Sequence, residues 1–562
     1  MLQFNDHQTL FLDKVIQEEL DKYPIDKLQL AQLKELFERY QNQYLRDGII
    51  KEEENKVAFL KDLFQFLNYT ERENFRFEGK TEIDSTQPDG RLGSNLTQNQ
   101  KVEVVIEWKG TNTSLDQLKK SPVNQAWEYV SGFDGCLWYI VGNFKEIRLY
   151  HRNYTRKVYQ GFLLSDLCVD DQILKQFAFL FAKENLLKNN FETSFLEKLL
   201  DKTRDRKDQI TNEFYAGFKQ HRFVIHNHLK TIFPELDAKN LLSKTQSILD
   251  KITFIQFASS RRLLPENLLK DQANIAKSIP QDDDRFWYIL KGIFKSVDVG
   301  RNNIKPEIFG YNGELFKQDP ELEKISITDQ ILEDTFNFFT KYDFNNELSL
   351  DILGRIFEQS ISDLEEMRAK IDQTEALIEA NPEQVETTKK HSKRKKDGVF
   401  YTPEYITKYM TEEVINLYLS ENPDKITADR IDIKVLDPAC GSGAFLNQAH
   451  NVLSEKYKDF VDKDKFAKIG GDDFAESLAK DYDEYEINQN ILHNNLYGVD
   501  LNGESVEITK LSLWLKTIQK NKKMQSLAGN IKQGNSLISD PEIASTDAFD
   551  WGEEFGHLKD KN

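Results

Sequence analysis

Asp89 lies in the turn Pro88-Asp89-Gly90-Arg91, ahead of the run Val102-Glu103-Val104-Val105-Ile106-Glu107-Trp108-Lys109-Gly110. That run reads as one strand over 102–109. Residues two apart on a strand share a face, so Glu107 and Lys109 point together, away from the apolar face of Val104, Ile106 and Trp108. An aspartate from the preceding hairpin arm reaches the same place. Two carboxylates, Asp89 and Glu107, bind a hard divalent cation such as Mg²⁺, which keeps several waters. The cation polarises a phosphate oxygen and helps make hydroxide, while a nearby lysine orients the attacking water or stabilises charge. This is the chemistry of phosphodiester hydrolysis. The competing reading is an ordinary surface strand, because short patterns of this kind recur by chance.

A second constellation follows the strand Ile433-Lys434-Val435-Leu436. The segment Asp437-Pro438-Ala439-Cys440-Gly441-Ser442-Gly443-Ala444-Phe445-Leu446 turns sharply on two glycines and runs into a helix. Glycines let backbone approach a ligand closely, and the helix start faces it with free N–H groups. At the end of the next strand, Leu496-Tyr497-Gly498-Val499-Asp500, a carboxylate can accept hydrogen bonds from both hydroxyls of a ribose. Cys440 invites a nucleophile reading, but the nearest histidine, His450, lies well along the following helix. Cys440 is better read as a small packing residue.

The elements that must position these groups fall into three segments. Residues 1–165 open with helical periodicity and switch to short strand-like runs at 102–108 and 137–141. Between them lies a helix carrying Gln125, Trp127 and Tyr129. Residues 166–390 read as almost wholly helical, with amphipathic stretches such as 241–257. From 391 the pattern becomes βαβ-like. An acidic stretch at 375–386, interrupted by Asn381-Pro382, leads into a run of lysines and Arg394 over 389–396, which reads as a solvated linker.

Composition limits the function classes. The 562 residues carry 75 basic and 94 acidic side chains, a net charge of −19 that argues against a nucleic-acid binder when taken alone. With 38 Phe and 21 Tyr, the chain has the apolar bulk to fold. Its three cysteines, Cys136, Cys168 and Cys440, lack metal-ligand spacing and are too few for a disulfide scaffold. The absence of an apolar leader at 1–14, and of any run long enough to cross a bilayer, leads us to expect a cytoplasmic protein without a membrane partner. Locally, Lys145, Arg148, Arg152, Arg156 and Lys157 form a positive cluster that suggests phosphate contacts.

Two resemblances give these residues a context. The order of elements around Asp89, Glu107 and Lys109, with Gln125-xxx-Tyr129 on the intervening helix, resembles the PD-(D/E)xK nuclease core. The resemblance implies that Gln125 helps position the phosphate or the metal site, and that an acid among Glu52, Glu53 and Glu54 assists, with Glu54 the candidate. The segments 437–446, GVDLN at 498–502 and GNSL at 534–537 resemble motifs of adenine-specific DNA methyltransferases. So does GVFYTPE at 398–404. Tyr401, Thr402 and Pro403 would then hold the methionine end of S-adenosylmethionine. Asp437, Pro438, Ala439, Cys440, Gly441, Gly443 and Phe445 would form the cofactor turn. Asp500 and Leu501 would lie at its ribose, and Asn535 beside its adenine.

Nuclease, helical connector and methyltransferase, in that order, resemble the type IIG restriction-modification enzymes. The resemblance implies a multidomain α/β chain: a PD-(D/E)xK nuclease core at 1–165, an all-helical connector at 166–390, and a partial Rossmann-like methyltransferase domain at 391–562. It also implies Mg²⁺, S-adenosylmethionine and double-stranded DNA as cofactors and partner. The sequence departs from the family in having no Pro-Pro pair, hence no Asn-Pro-Pro-Tyr motif to hold a flipped adenine. The expectation is therefore an N-terminal portion, without methyl transfer of its own and with weak, unselective DNA binding through local basic patches. The alternatives are a DNA-binding or regulatory subunit served by a second polypeptide that supplies the motif and target recognition, and a phage-defence component of related layout.

Overall fold

The computed structural model describes residues 8–77, 87–97, 101–116, 121–156, 158–189, 191–280, 284–302, 305–311, 314–348, most of 352–371, 402, 404–425, 431–468 and 484–556. The chain forms two compact units, Met1–Ile210 and Thr211–Asn562, and helices and sheet occur in both.

In the first unit, α1 (Asp13–Leu20), α2 (Lys27–Asp47) and α3 (Glu52–Phe66) precede a six-stranded sheet. Local chemistry sets their ends. The Asp26 side chain accepts the Leu28 N–H at the start of α2, and Gly48 ends it in the left-handed region at φ 71°. Three glutamates in the first turn of α3 face the positive end of its dipole. The strands are β1 (Phe75–Phe77), β2 (Gly90–Leu92), β3 (Val104–Trp108), β4 (Trp138–Gly142), β5 (Glu146–His151) and β6 (Tyr159–Leu163), adjacent in that order. Every neighbouring pair is antiparallel except β3 and β4. That parallel pair needs a crossover, supplied by α4 (Pro122–Ser131), which Ser121 caps and Pro122 starts. Helices α5 (Leu164–Val169), α6 (Asp171–Phe181) and α7 (Lys183–Leu186) follow the sheet.

The strand expected over 102–109 is shorter, and the expected division into one apolar and one exposed face does not hold: all five residues of β3 are buried. Val105 shares a core cluster with Val123, Ala126 and Val130 of α4, while Trp108 packs on Phe59 of α3 with ring centroids 5.0 Å apart. Helices cover both faces, so the polar edge of the strand is enclosed.

The boundary between the units falls within α8 (Phe195–Ile232). In the second unit come α9 (Ala238–Ser260), α10 (Leu268–Ser278), α11 (Arg285–Val299) and α12 (Asp329–Thr340), then α13 (Glu404–Glu421). The stretch 241–257, expected to be amphipathic, is buried nearly all round, polar residues included. It lies among α10, α12 and a helix of the following sheet layer. Its polar groups are satisfied one turn away: Gln246 donates to Asp250 at 2.8 Å and Lys251 to Ser247 at 2.8 Å. Last comes a parallel sheet, β7 (Val435–Asp437), β8 (Leu496–Asp500) and β9 (Ile531–Gln533), adjacent in that order. Helices α14 (Ala444–Lys468), α15 (Glu484–Asn494) and α16 (Gly503–Thr517) alternate with these strands.

Candidate nuclease and cofactor sites

Asp89 and Glu107 face one another across β2 and β3. The register pairs Gly90 with Ile106, so one step further Asp89 opposes Glu107. Both side chains are fully buried. The Asp89 Oδ2 atom accepts the Trp108 backbone N–H at 2.8 Å, which fixes the carboxylate against β3. Lys109 donates to Glu107 Oε1 at 2.5 Å, and its backbone N–H donates to Gly142 O at 2.8 Å, continuing the parallel pairing with β4. Burial lowers the Lys109 pKa, but the Glu107 charge and hydrogen bond, with Glu52 and Asp89 beyond, more than offset it. The net shift is upward and the lysine stays cationic. Gln125 is half-buried on α4, the helix over this face of β3. The other nearby glutamate of this run, Glu103, is engaged by the N–H and hydroxyl of Ser94 and by the Lys188 N–H.

A third element enters from α3. Ile50 N–H donates to Thr111 Oγ1 at 2.8 Å, and Thr111 N–H returns a bond to Ile50 O at 3.1 Å. This ties the start of α3 to the chain just past Lys109. Gly110 permits the approach: a Cβ there would sit 2.9 Å from Ile50 O and 3.2 Å from Glu52 N. Consequently Lys56 reaches Asp89 Oδ1 at 2.7 Å and Glu52 Oε1 at 2.9 Å. Of the three glutamates, Glu52 therefore faces the site, whereas Glu54 is exposed and pairs with Lys51. Neither Lys56 nor its link to Asp89 was visible in the sequence, because nothing local to a lysine within Glu-Asn-Lys-Val points to a partner 33 residues on.

The basic cluster after β4 is corrected in part. Arg148 is buried and bonded to Glu146 at 2.7 Å and to both oxygens of Asp116, with its guanidinium over Tyr159. It braces β5 and is turned away from solvent phosphates. Arg156 stacks on Trp127 and Lys145 on Tyr44. Lys157 lies outside the described residues.

In the second unit the carboxyl ends of β7, β8 and β9 converge, the edge at which open parallel sheets bind ligands. The glycine segment follows β7 as expected. The Asp437 carboxylate accepts the Ala439 N–H at 3.1 Å, and burial raises its pKa. Cys440 N–H donates to Val499 O at 2.9 Å, and its buried side chain packs against Gly498, where a Cβ would lie 3.1 Å from the sulfur. Burial pushes its thiol pKa far up, as befits a packing residue. Gly443 has φ 81°, and a Cβ on it would meet Thr509 at 2.9 Å. Asp500, half-buried, accepts the Gly441 N–H at 2.9 Å on one oxygen and the Asn502 N–H at 2.9 Å on the other. It thus ties the turn to β8. Leu501 is exposed and Phe445 half-buried. Asn535 follows β9, its carbonyl accepting the Leu537 N–H at 3.1 Å. Thr402 is half-buried, whereas Tyr401 and Pro403, with 398–400, lie outside the described residues.

The donor chemistry fits both implied groups. Two facing carboxylates suit a hard cation, and an ammonium already stands at each of them. Among the described residues no group of three or more His, Cys, Asp or Glu side chains could hold a metal, so water would complete the shell. At the glycine turn, a Cβ on Gly441 would meet nothing within 4 Å, and Pro438 and Ala439 are exposed. The backbone is open to a ligand there.

Comparison with known proteins agrees with these motifs. The MmeI DNA-methyltransferase domain matches residues 419–561. A protein of Methanocaldococcus jannaschii named as a type II restriction enzyme and methyltransferase, RM.MjaORFECS2P, is 23% identical over 90% of this chain and 48% of its own length. The type II restriction enzyme and methyltransferase RM.Eco57I of Escherichia coli is 25% identical over 66% of this chain and 34% of its own. The chain thus spans about half or less of the length of the curated relatives it matches. The adenine-specific methyltransferase BrxX of Escherichia coli is 23% identical over 22% of the chain and 11% of its own length. A DrdV–DNA complex aligns with 91% of this chain and 40% of its own, at 15% identity and a TM-score of 0.26, too loose a likeness to bear on the fold. No helix among the described residues is long and apolar enough to cross a membrane. On these motifs and relatives, the chain is similar to type II restriction enzymes that are also methyltransferases, and part of it matches the MmeI DNA-methyltransferase domain.

Proposed function

We propose that the chain carries two chemistries: divalent-metal-dependent cleavage of double-stranded DNA at Asp89, Glu107 and Lys109, and binding of S-adenosylmethionine at 437–446 and Asp500 in the service of adenine N6 methylation. The three-segment organisation belongs to the same proposal, with a nuclease at 1–165, a helical connector at 166–390 and a methyltransferase domain from 391. The observation that carries the nuclease reading is the cross-strand pairing of two fully buried carboxylates, Asp89 with Lys56 on it and Glu107 with Lys109. Carboxylates are costly to bury even when paired, and a divalent cation gives that arrangement a purpose.

Asp89 and Glu107 would hold the Mg²⁺, which when bound supplies Lewis acidity and a more acidic water. Lys109, kept cationic by its neighbours, orients the nucleophile or stabilises charge on the phosphate. Ile106 and Trp108, which alternate with Glu107 along β3, are fully buried. In the second site Asp500 would accept the ribose hydroxyls, and the cofactor would lie against the turn at Gly441, where a Cβ would meet nothing within 4 Å. The relatives' names join restriction and methylation in one protein, which favours the enzyme over a regulatory subunit.

The test is nicking of supercoiled DNA in Mg²⁺ by the full chain. Asp89→Ala or Lys109→Ala is expected to remove it while leaving the fold intact by circular dichroism. Undiminished cleavage by both variants would sink the assignment.

A further inference from the structure

We propose that Lys56 is a resident cation of the Asp89 site, which holds the carboxylate until a divalent metal arrives and must leave Oδ1 for the metal to bind. The proposal rests on the reading of Asp89 and Glu107 as the metal's ligands. It starts from the occupancy of Asp89. Oδ2 is held by the Trp108 N–H, a main-chain donor set in the sheet. Oδ1 is held by Lys56 at 2.7 Å. Of these two donors, only the lysine can move, on a flexible four-carbon stem.

Glu52 gives it somewhere to go. Lys56 Nζ is already 2.9 Å from Glu52 Oε1, and the Glu52 side chain is 28% exposed against 10% for Lys56 and 0% for Asp89. A small rotation of the stem would leave the ammonium on Glu52, nearer water, and take it off Oδ1. The charges favour the exchange. Among the described residues, three carboxylates, Asp89, Glu107 and Glu52, face two ammonium groups, Lys56 and Lys109. A divalent ion added with Lys56 still on Asp89 would put two cations on one oxygen in a buried setting, where repulsion is poorly screened. With Lys56 moved to Glu52, no ammonium would compete for Asp89 Oδ1, while Lys109 keeps Glu107 Oε1. Lys56 is in this sense a positioning residue that sets the metal requirement of the site.

The experiment measures Mn²⁺ binding to the full chain by isothermal titration calorimetry without DNA, and thermal melting in EDTA and in Mn²⁺. Lys56→Met keeps the stem and removes the competitor. It is expected to bind Mn²⁺ about tenfold more tightly than the parent chain, to melt lower in EDTA, and to regain most of that loss in Mn²⁺. Glu52→Gln, at a more exposed position, removes the resting place and should weaken Mn²⁺ binding several-fold, so the two variants move in opposite directions. A Lys56→Met chain that binds Mn²⁺ no more tightly than the parent, and melts lower by the same amount with and without metal, would overturn the proposal and leave Lys56 a structural ion pair. If Lys56→Met does not fold, unchanged or tighter binding by Glu52→Gln overturns it equally. Asp89→Asn separates the two levels: if the parent shows no Mn²⁺ binding that Asp89→Asn removes, the metal-site reading itself fails, and this inference with it.

Discussion

Replacing Asp500 by alanine should weaken S-adenosylmethionine binding far more than it weakens the fold. Each carboxylate oxygen accepts one main-chain N–H, from Gly441 or Asn502, and keeps a second lone pair for a ribose hydroxyl. Hydrogen bonds to a charged acceptor are worth about 1.5–3 kcal/mol, and the half-buried setting places these toward the low end. Two lost ribose bonds then cost about 3 kcal/mol, or a rise in Kd of roughly 150-fold. The lost tethers to Gly441 and Asn502 cost the apo chain about 1–2 kcal/mol, because water can replace the carboxylate at both N–H groups. Calorimetric titration with S-adenosylmethionine reads the first effect and thermal melting without cofactor the second. Asp500→Asn, which keeps one acceptor oxygen, should fall between the two chains. An Asp500→Ala chain that binds within twofold of the parent, yet melts lower, would show that the carboxylate only braces the turn and would refute its cofactor role.

Three further outcomes follow from particular contacts. Gly443→Ala meets both a φ of 81° and Thr509 at 2.9 Å, so cofactor binding should be lost together with about 1–3 kcal/mol of stability, seen as a lower Tm and a flat titration. Gly110→Ala pushes the start of α3 away from β3, and should reduce nicking activity sharply while the carboxylates and Lys109 remain present. His151 is buried on β5 against Trp138, and that burial lowers its pKa from 6.5 to about 4. Its neutral form suits the folded state, so its contribution is whole above pH 6.5 and is lost as the pH falls toward 4. About 3 kcal/mol is at stake across that window, and urea unfolding of His151→Gln should show a flatter profile over it.

What the sequence revealed and concealed divides along one physical line. Local chemistry was readable. The turn at Asp89, the strand around Glu107 and Lys109, and the glycine turn between β7 and α14 each announce themselves within a dozen residues. Partners brought together by the fold were not. The basic run over 145–157 looked like a surface for phosphate, but Arg148 finds Asp116 across 32 residues and a Tyr159 ring beneath it. The stretch 241–257 looked amphipathic because its polar residues recur at helical spacing, yet they bond one another one turn apart and permit full burial. Lys56 shows the same limit at the site itself, since only the Ile50–Thr111 bonds reveal that α3 begins beside Lys109.

The crossover between β3 and β4 also bears on when the nuclease site can exist. Glu107 and Lys109 end the one parallel pairing among the described strands of the six-stranded sheet, which needs residues 104–142 to come together around α4. Such non-local pairings form slowly, because loop-closure entropy is spent before any contact compensates it. Lys56 must also arrive from a helix that precedes the sheet altogether. A nascent or partly unfolded chain could pair Asp89 with Glu107 across β2 and β3 yet would lack the helices that enclose them, so the capacity to cut DNA would be gained only on completion of the fold and lost early when it loosens.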